Sequence, residues 1–300
     1  MLVAQHGVFD AVETPFVPST WSQQTSPFGV YNIYDVTFGE GLFVGVGEAG
    51  QLATSPDGIT WTLRTSSFTT SVIQCVAHTG AEFLAGGSSG KIAYSGDGTT
   101  WSQRISPFGS SAVLGITYSA RLGLYVAVGG DGKLATSTNT TSWTLRTSSF
   151  GTSFIYDVIE TGNILIAAGS NGKIATSSDG LTWTQRISTF ALSNVYALAS
   201  SSTIIMAFGD NGKLATSADG ITWTAQTSSF EPTSVRDVTY YNDSYVAGGA
   251  NGKLATSFNG AGWTQRTSSF GVSTINAIAA TTNKVVAVGD SGKIAMSVGA

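Results

Sequence analysis

The sequence predicts an all-β chain, a seven-bladed β-propeller of four-stranded antiparallel blades. Three observations carry this. All seven tryptophans (Trp21, Trp61, Trp101, Trp143, Trp183, Trp223 and Trp263) stand 40, 40, 42, 40, 40 and 40 residues apart, a period that fits one small sheet each. Within each period the apolar residues alternate or run in short stretches, and no helical spacing competes. Glycine makes up 37 of the 300 residues and charged residues only 11%, a profile of short strands and tight turns.

The strands of one blade follow from alternation and punctuation. In the unit after Trp143, strand A is "IYDVIE" (155–160) and strand B "ILIAAG" (164–169). Strand C is "KIATS" (173–177) and strand D "TWTQRIS" (182–188). The links "GSNG" and "SDGL" carry Asn-Gly and Asp-Gly pairs, which accept the positive φ of tight hairpins. The single spacing of 42 comes from a longer loop around "SARLGL" (119–124).

The chain ends predict how the ring closes. After Trp263 come strands A (275–280), B (284–289) and C (293–297), and the sequence ends where a strand D is due. That strand is present at the other end, as "TWSQQTS" (20–26). Strand 20–26 is therefore expected to join strands 275–297, which removes the seam of an open ring. Residues 19–300 form the propeller, and residues 1–18 fall outside the repeat as an arm, either disordered or a tether to a partner.

Bulk properties exclude several functions. A net charge of −4 and a pI near 5.1 argue against a nucleic-acid partner, which needs a basic face. No stretch reaches the roughly 20 apolar residues of a membrane helix. The N-terminus lacks the pattern of a secretion signal, so synthesis in a cytoplasm is expected. His6 and His78 are too few and too scattered for a metal or nucleophilic site, lone Cys75 excludes an internal disulfide, and no metal or other cofactor is expected.

Residues 169–173, "GSNGK", look like a phosphate loop, but Ile174 follows where Ser or Thr is needed for magnesium, and a strand follows where a helix is needed. The same word recurs before Lys91, Lys133, Lys213, Lys253 and Lys293. It is a B–C hairpin, with the lysine expected at a solvent edge.

A second motif survives. "SPDGITW" (55–61), "SGDGTTW" (95–101), "SSDGLTW" (177–183) and "SADGITW" (217–223), with weaker copies at 137–143 and 257–263, resemble the Asp-box, or bacterial neuraminidase repeat, of sialidase-type and related propellers. That family's pattern has one residue more between Asp and Trp. In the family the box is a folding element away from the active site. The expectation here is an Asp accepting turn amides and a Trp filling space between sheets. A sialidase would also need three converging arginines. Five arginines of this chain (Arg64, Arg104, Arg146, Arg186 and Arg266) sit at one repeat position and splay around the ring.

Candidate functional residues are those that break the repeat. The segment "EPTSVRDVTYYNDS" offers Arg236, Tyr240, Tyr241, Asn242 and Asp243 as ligand-binding residues. In strand A, Asp35, Asp157 and Asp237 share a slot with Cys75 and are candidates to face the central channel and hold water or a cation. The repeated phenylalanines (Phe28, Phe68, Phe108, Phe150, Phe190, Phe230 and Phe270) are expected to plug the gaps between blades; exposed, they would form sugar-stacking platforms. The expected function is a non-catalytic binding or structural module taking a glycan or a protein through loop ends. The alternative is a glycan-active hydrolase with a degenerate site. Words such as "GKIATS" followed by "DG" and "TWT" resemble propellers of phages and bacterial surface proteins. That resemblance implies a virion, tail or cell-surface setting, with residues 1–18 available to other virion proteins.

Overall fold

A computed structural model describes residues 18–298. It contains seven four-stranded antiparallel sheets arranged as the blades of a closed propeller. In the first blade, strands Ile33–Gly39, Leu42–Gly47, Leu52–Ser55 and Thr62–Arg64 run in order from the axis outward. In the last, Ile275–Ala280, Lys284–Gly289 and Ile294–Val298 are completed by Ser22–Gln24. Ser22 pairs with Met296, Gln23 with Ala295 and Gln24 with Ile294, so the predicted closure holds. The arm assigned to residues 1–18 lies outside the described residues except for Pro18.

The core is a set of seven slabs, each between neighbouring blades. Phe28, Ile33, Phe43 and Trp61 of the first blade pack on Ala277, Val286, Val288 and Met296 of the last. Trp183 packs on Val126, Val128 and Leu134 of the blade before it. All seven repeated phenylalanines are buried, so they are plugs and not platforms. Burying an aromatic side chain of this size stabilises by about 2–3 kcal/mol, and the repeat writes that gain once per junction.

The outer turns explain the resemblance noted in the sequence. Oδ1 of Asp179 accepts the amides of Leu181 and Thr182 at 2.8 Å and the Ser177 hydroxyl at 3.0 Å. Ser177 Oγ takes the Gly180 amide at 2.8 Å, and the Trp183 indole N–H donates to Gly180 O at 3.2 Å. These amide bonds, the Thr182 one foremost, hold the Asp179 carboxyl down at about 2. Gly180 sits at φ +73°, and a Cβ there would lie 2.5 Å from Leu124 Cδ2 of the blade before. Glycine therefore suits this position, although Thr140 takes the equivalent place in the third blade at φ 62°.

Two expectations need correction. Strand D is Thr184–Arg186, not 182–188. Trp183 is held by the turn, and Ser188 leaves the strand to donate its hydroxyl to Gly172 O. The repeated lysines are not free at a solvent edge. Lys173 Nζ donates to Phe150 O at 2.7 Å, and Lys91, Lys133, Lys213, Lys253 and Lys293 do the same to Phe68, Phe108, Phe190, Phe230 and Phe270. Each ammonium is a second donor to a crossing carbonyl that already accepts a turn amide, that of Ser153 in the case of Phe150, and so ties the hairpin to the crossing.

Candidate functional site: the mouth of the central channel

Every innermost strand carries a β-bulge at the same place. In the fourth blade, Ile155 opposes Gly169 and Asp157 opposes Ala168, which leaves Tyr156 as the extra residue. The same shift leaves Tyr34, Gln74, Leu114, Tyr196, Arg236 and Asn276 extra in the other six. A bulge re-aims a side chain out of the ladder. Here it aims all seven at one cavity of about 400 Å³, which Thr274 and Asp290 also line. The cavity opens on the face that carries the B–C hairpins and D–A crossings.

The wall is chemically uneven. The Tyr156 and Tyr196 rings lie 5.1 Å apart at 46°, and the Arg236 guanidinium carbon sits 4.3 Å over the Tyr196 ring. The phenol hydroxyls meet partners behind the wall. Tyr34 donates to Glu48 Oε1 at 2.9 Å, and the Tyr196 hydroxyl accepts from Asn194 Nδ2 at 3.1 Å. The Tyr156 hydroxyl accepts from Ser170 Oγ at 3.0 Å. Asn276 Nδ2 bridges Ile33 O and Asp290 Oδ1. Burial raises the Tyr34 and Tyr196 phenols, with the Glu48 bond adding to the first.

Below the bulges lie the three strand A aspartates. Asp35 takes the amides of Val36 and Val76, Asp157 those of Val158 and Leu198, and Asp237 those of Val238 and Ile278, all at 2.6–2.8 Å. Each carboxylate thus joins its own bulge to strand A of the next blade. Loss of water pushes Asp157 up to about 7 and Asp237 to about 6. Asp35 is raised well above the usual range, chiefly by burial, with repulsion from Asp237 and Asp157 adding. Both oxygens of each group are directed to backbone amides rather than to one common centre, so the water- or cation-holding role gives way to stapling.

The residues grouped in sequence do not stay together. Arg236 lines the mouth, but Tyr240 and Tyr241 lie at the far end of the same strand, Val235–Tyr241. Over five residues that is about 17 Å. Asn242 (φ 45°) and Asp243 (φ 57°) form the hairpin tip there. Tyr240 donates to Asp243 Oδ1 at 2.9 Å, and Asn242 Nδ2 to Thr282 O at 3.4 Å. Sequence reasoning missed the other six mouth residues, whose shared position is visible only when the bulge is aligned.

Comparison with known proteins agrees with the architecture. Residues 106–234, which span the third to fifth blades, match the model of the DUF6242 beta propeller domain. No curated protein matches the chain. Among solved structures, YCF48 from Cyanidioschyzon merolae is 19% identical with a TM-score of 0.72, over 93% of this chain and 98% of that one. YCF48 bound to D1 peptide is 18% identical, TM-score 0.74, over 95% and 99%. Virginiamycin B lyase from Staphylococcus aureus is 12% identical, TM-score 0.83, over 93% and 99%. At these identities the likeness is one of fold.

Proposed function

We propose that this chain is a non-catalytic binding module that presents the face of its channel mouth to a protein partner. The observation that carries the reading is the rim of that face. Val30, Leu192 and Val272, on three D–A crossings, are 82%, 82% and 87% exposed, around a polar, aromatic cavity. Apolar side chains this exposed, on the face where a recess lined by tyrosines and an arginine opens, suit a protein surface, since Tyr and Arg are enriched where proteins meet. A glycan fits less well, because the face offers open aromatic side chains only at Tyr31 and Phe154, half-exposed on two crossings, and not one per blade. The repeated phenylalanines are buried, and the Tyr196 ring packs against Tyr156 and Arg236.

Three further points support the reading. No histidine, cysteine or carboxylate stands among the seven bulge residues, and the Asp290 carboxylate beside them is bonded to Asn276. The turns that resemble the Asp-box lie on the opposite face and have their polar groups satisfied within themselves, so the resemblance brings no activity with it. YCF48, which shares the fold, has been seen with a D1 peptide, so a ring of this shape can receive a polypeptide. A virion, tail or cell-surface setting rests on sequence resemblance alone.

The test sets a random-peptide display library against a glycan array and a fluorogenic glycoside panel, using the purified chain. Enriched peptides with a blank array are expected. Sugar binding without peptide enrichment would overturn the protein-partner reading. Glycoside turnover lost on replacing an acidic residue would overturn the non-catalytic one.

A further inference from the structure

We propose that Arg236 is a receptor for a carboxylate, so that the segment entering the mouth is an acidic stretch of polypeptide. The inference rests on the protein-binding reading and names what that site selects. Arg236 is the one charged residue among the seven bulge positions, and it is exposed. The other arginines have acceptors or ion-pair partners. Arg64, Arg146, Arg186 and Arg266 donate Nε to a strand C threonine at 2.8–2.9 Å. Arg104 donates to Ser102, and Arg121 pairs with Glu160 at 3.3 Å. Among the described residues, Arg236 has neither a hydrogen-bond acceptor nor an ion-pair partner. It lies instead over the face of Tyr196.

That contact prepares the guanidinium. Resting over a phenol ring steadies the guanidinium without using its N–H donors, which stay available to meet a carboxylate with two parallel bonds. Tyr196 is itself braced by Tyr156 and by the Asn194 amide, so the platform is rigid.

The surroundings limit what else could bind. The carboxylates at this end already accept donors from the chain. Glu48 takes Asn32 and Tyr34, Asp210 takes the Asn194 amide and Ser234, and Asp290 takes Asn276. The six hairpin lysines of the same face are spent on crossing carbonyls, so Arg236 is the cation that lines the cavity itself, with these carboxylates beside it. One carboxylate at one position is therefore favoured over a highly charged phosphate, and attraction and repulsion together give specificity.

The probes are a capped tripeptide of glutamate, the matching tripeptide of glutamine, and trigalacturonate, each titrated into labelled protein and followed by NMR. The glutamate peptide is expected to shift the Arg236 Nε–Hε and Tyr196 signals. Its affinity should fall about tenfold or more in Arg236→Gln, partly recover in Arg236→Lys, and weaken with salt. The glutamine peptide should leave these signals in place. Equal binding of the glutamine peptide at the mouth would overturn the carboxylate inference while leaving the binding module standing. An unchanged affinity in Arg236→Gln, a silent glutamate peptide, or preferential binding of trigalacturonate would each overturn the inference as well. Peptides selected by display and footprinted on this face would still uphold the broader reading.

Discussion

Oδ2 of Asp157 accepts the backbone N–H of Leu198, 41 positions on, at 2.8 Å. The other oxygen takes the amide of Val158, so one side chain fastens the innermost strands of two blades. Asp35 and Asp237 do the same at two other junctions.

These staples predict a pH dependence. Burial lifts Asp157 to about 7 and Asp237 to about 6, above the unfolded value near 4. Between those limits the folded chain holds more protons than the unfolded one, so stability falls as pH rises through the window. It is full below about pH 4 for these groups and has declined by about pH 7. The urea midpoint should therefore be higher at pH 5 than at pH 8, and Asp157→Ala should shrink that difference. A midpoint that rises from pH 5 to pH 8 would contradict it. In Asp157→Asn one of the two amides loses its acceptor, which costs about 1–3 kcal/mol.

Ring closure gives a second prediction. Trp21 packs with Leu254, Phe270, Ile275 and Val285 across the junction of the last two blades. Trp21→Ala should destabilise the whole ring by about 3–5 kcal/mol, read as a single shifted thermal transition. A truncation of residues 19–26 that melts like the full chain would disprove the closure.

Glycine substitutions can separate backbone strain from crowding. Gly180 (φ +73°) and Gly151 (φ +62°) both lie in the left-handed region, but only Gly180 would drive a Cβ into a neighbour, Leu124, while Gly151 faces open space. Gly151→Ala should cost about 1 kcal/mol. Gly180→Ala should cost clearly more, measured by chemical denaturation. Equal losses would mean that the turn relaxes away from the adjacent blade.

The lysine caps are a fourth case. Lys173→Met keeps the aliphatic stem but removes the donor to Phe150 O. A loss of about 1 kcal/mol is expected, with faster amide exchange in the 150–154 crossing. No change in either would return the lysine to the solvent-edge role.

The fold was legible because its determinants repeat. Trp183 and Phe190 have counterparts in every blade, and Ser22–Gln24, within the predicted 20–26, pairs with Met296, Ala295 and Ile294 because the last unit lacked its outer strand. The site was not legible for the opposite reason. The bulge residues Tyr34, Gln74, Leu114, Tyr156, Tyr196, Arg236 and Asn276 share a position but hardly any chemistry, and a bulge changes pairing without leaving a turn signature. Arg236 stood out as a charge, but proximity in sequence grouped it with Tyr240 and Asn242 at the wrong end of a strand. The Asp35, Asp157 and Asp237 slot was visible, although its purpose was not, since the partner amide lies one blade away.

The most direct test of the central claim places one arginine on each face of the ring. Leu192, on a crossing at the channel mouth, and Leu181, in an outer turn on the opposite face, are both exposed, so neither replacement disturbs the core. Affinity for display-selected peptides is compared by titration. Leu192→Arg should weaken binding about tenfold or more, while Leu181→Arg should leave it unchanged. Undiminished binding by Leu192→Arg, with loss in Leu181→Arg, would move the functional face to the other side of the propeller and contradict the account.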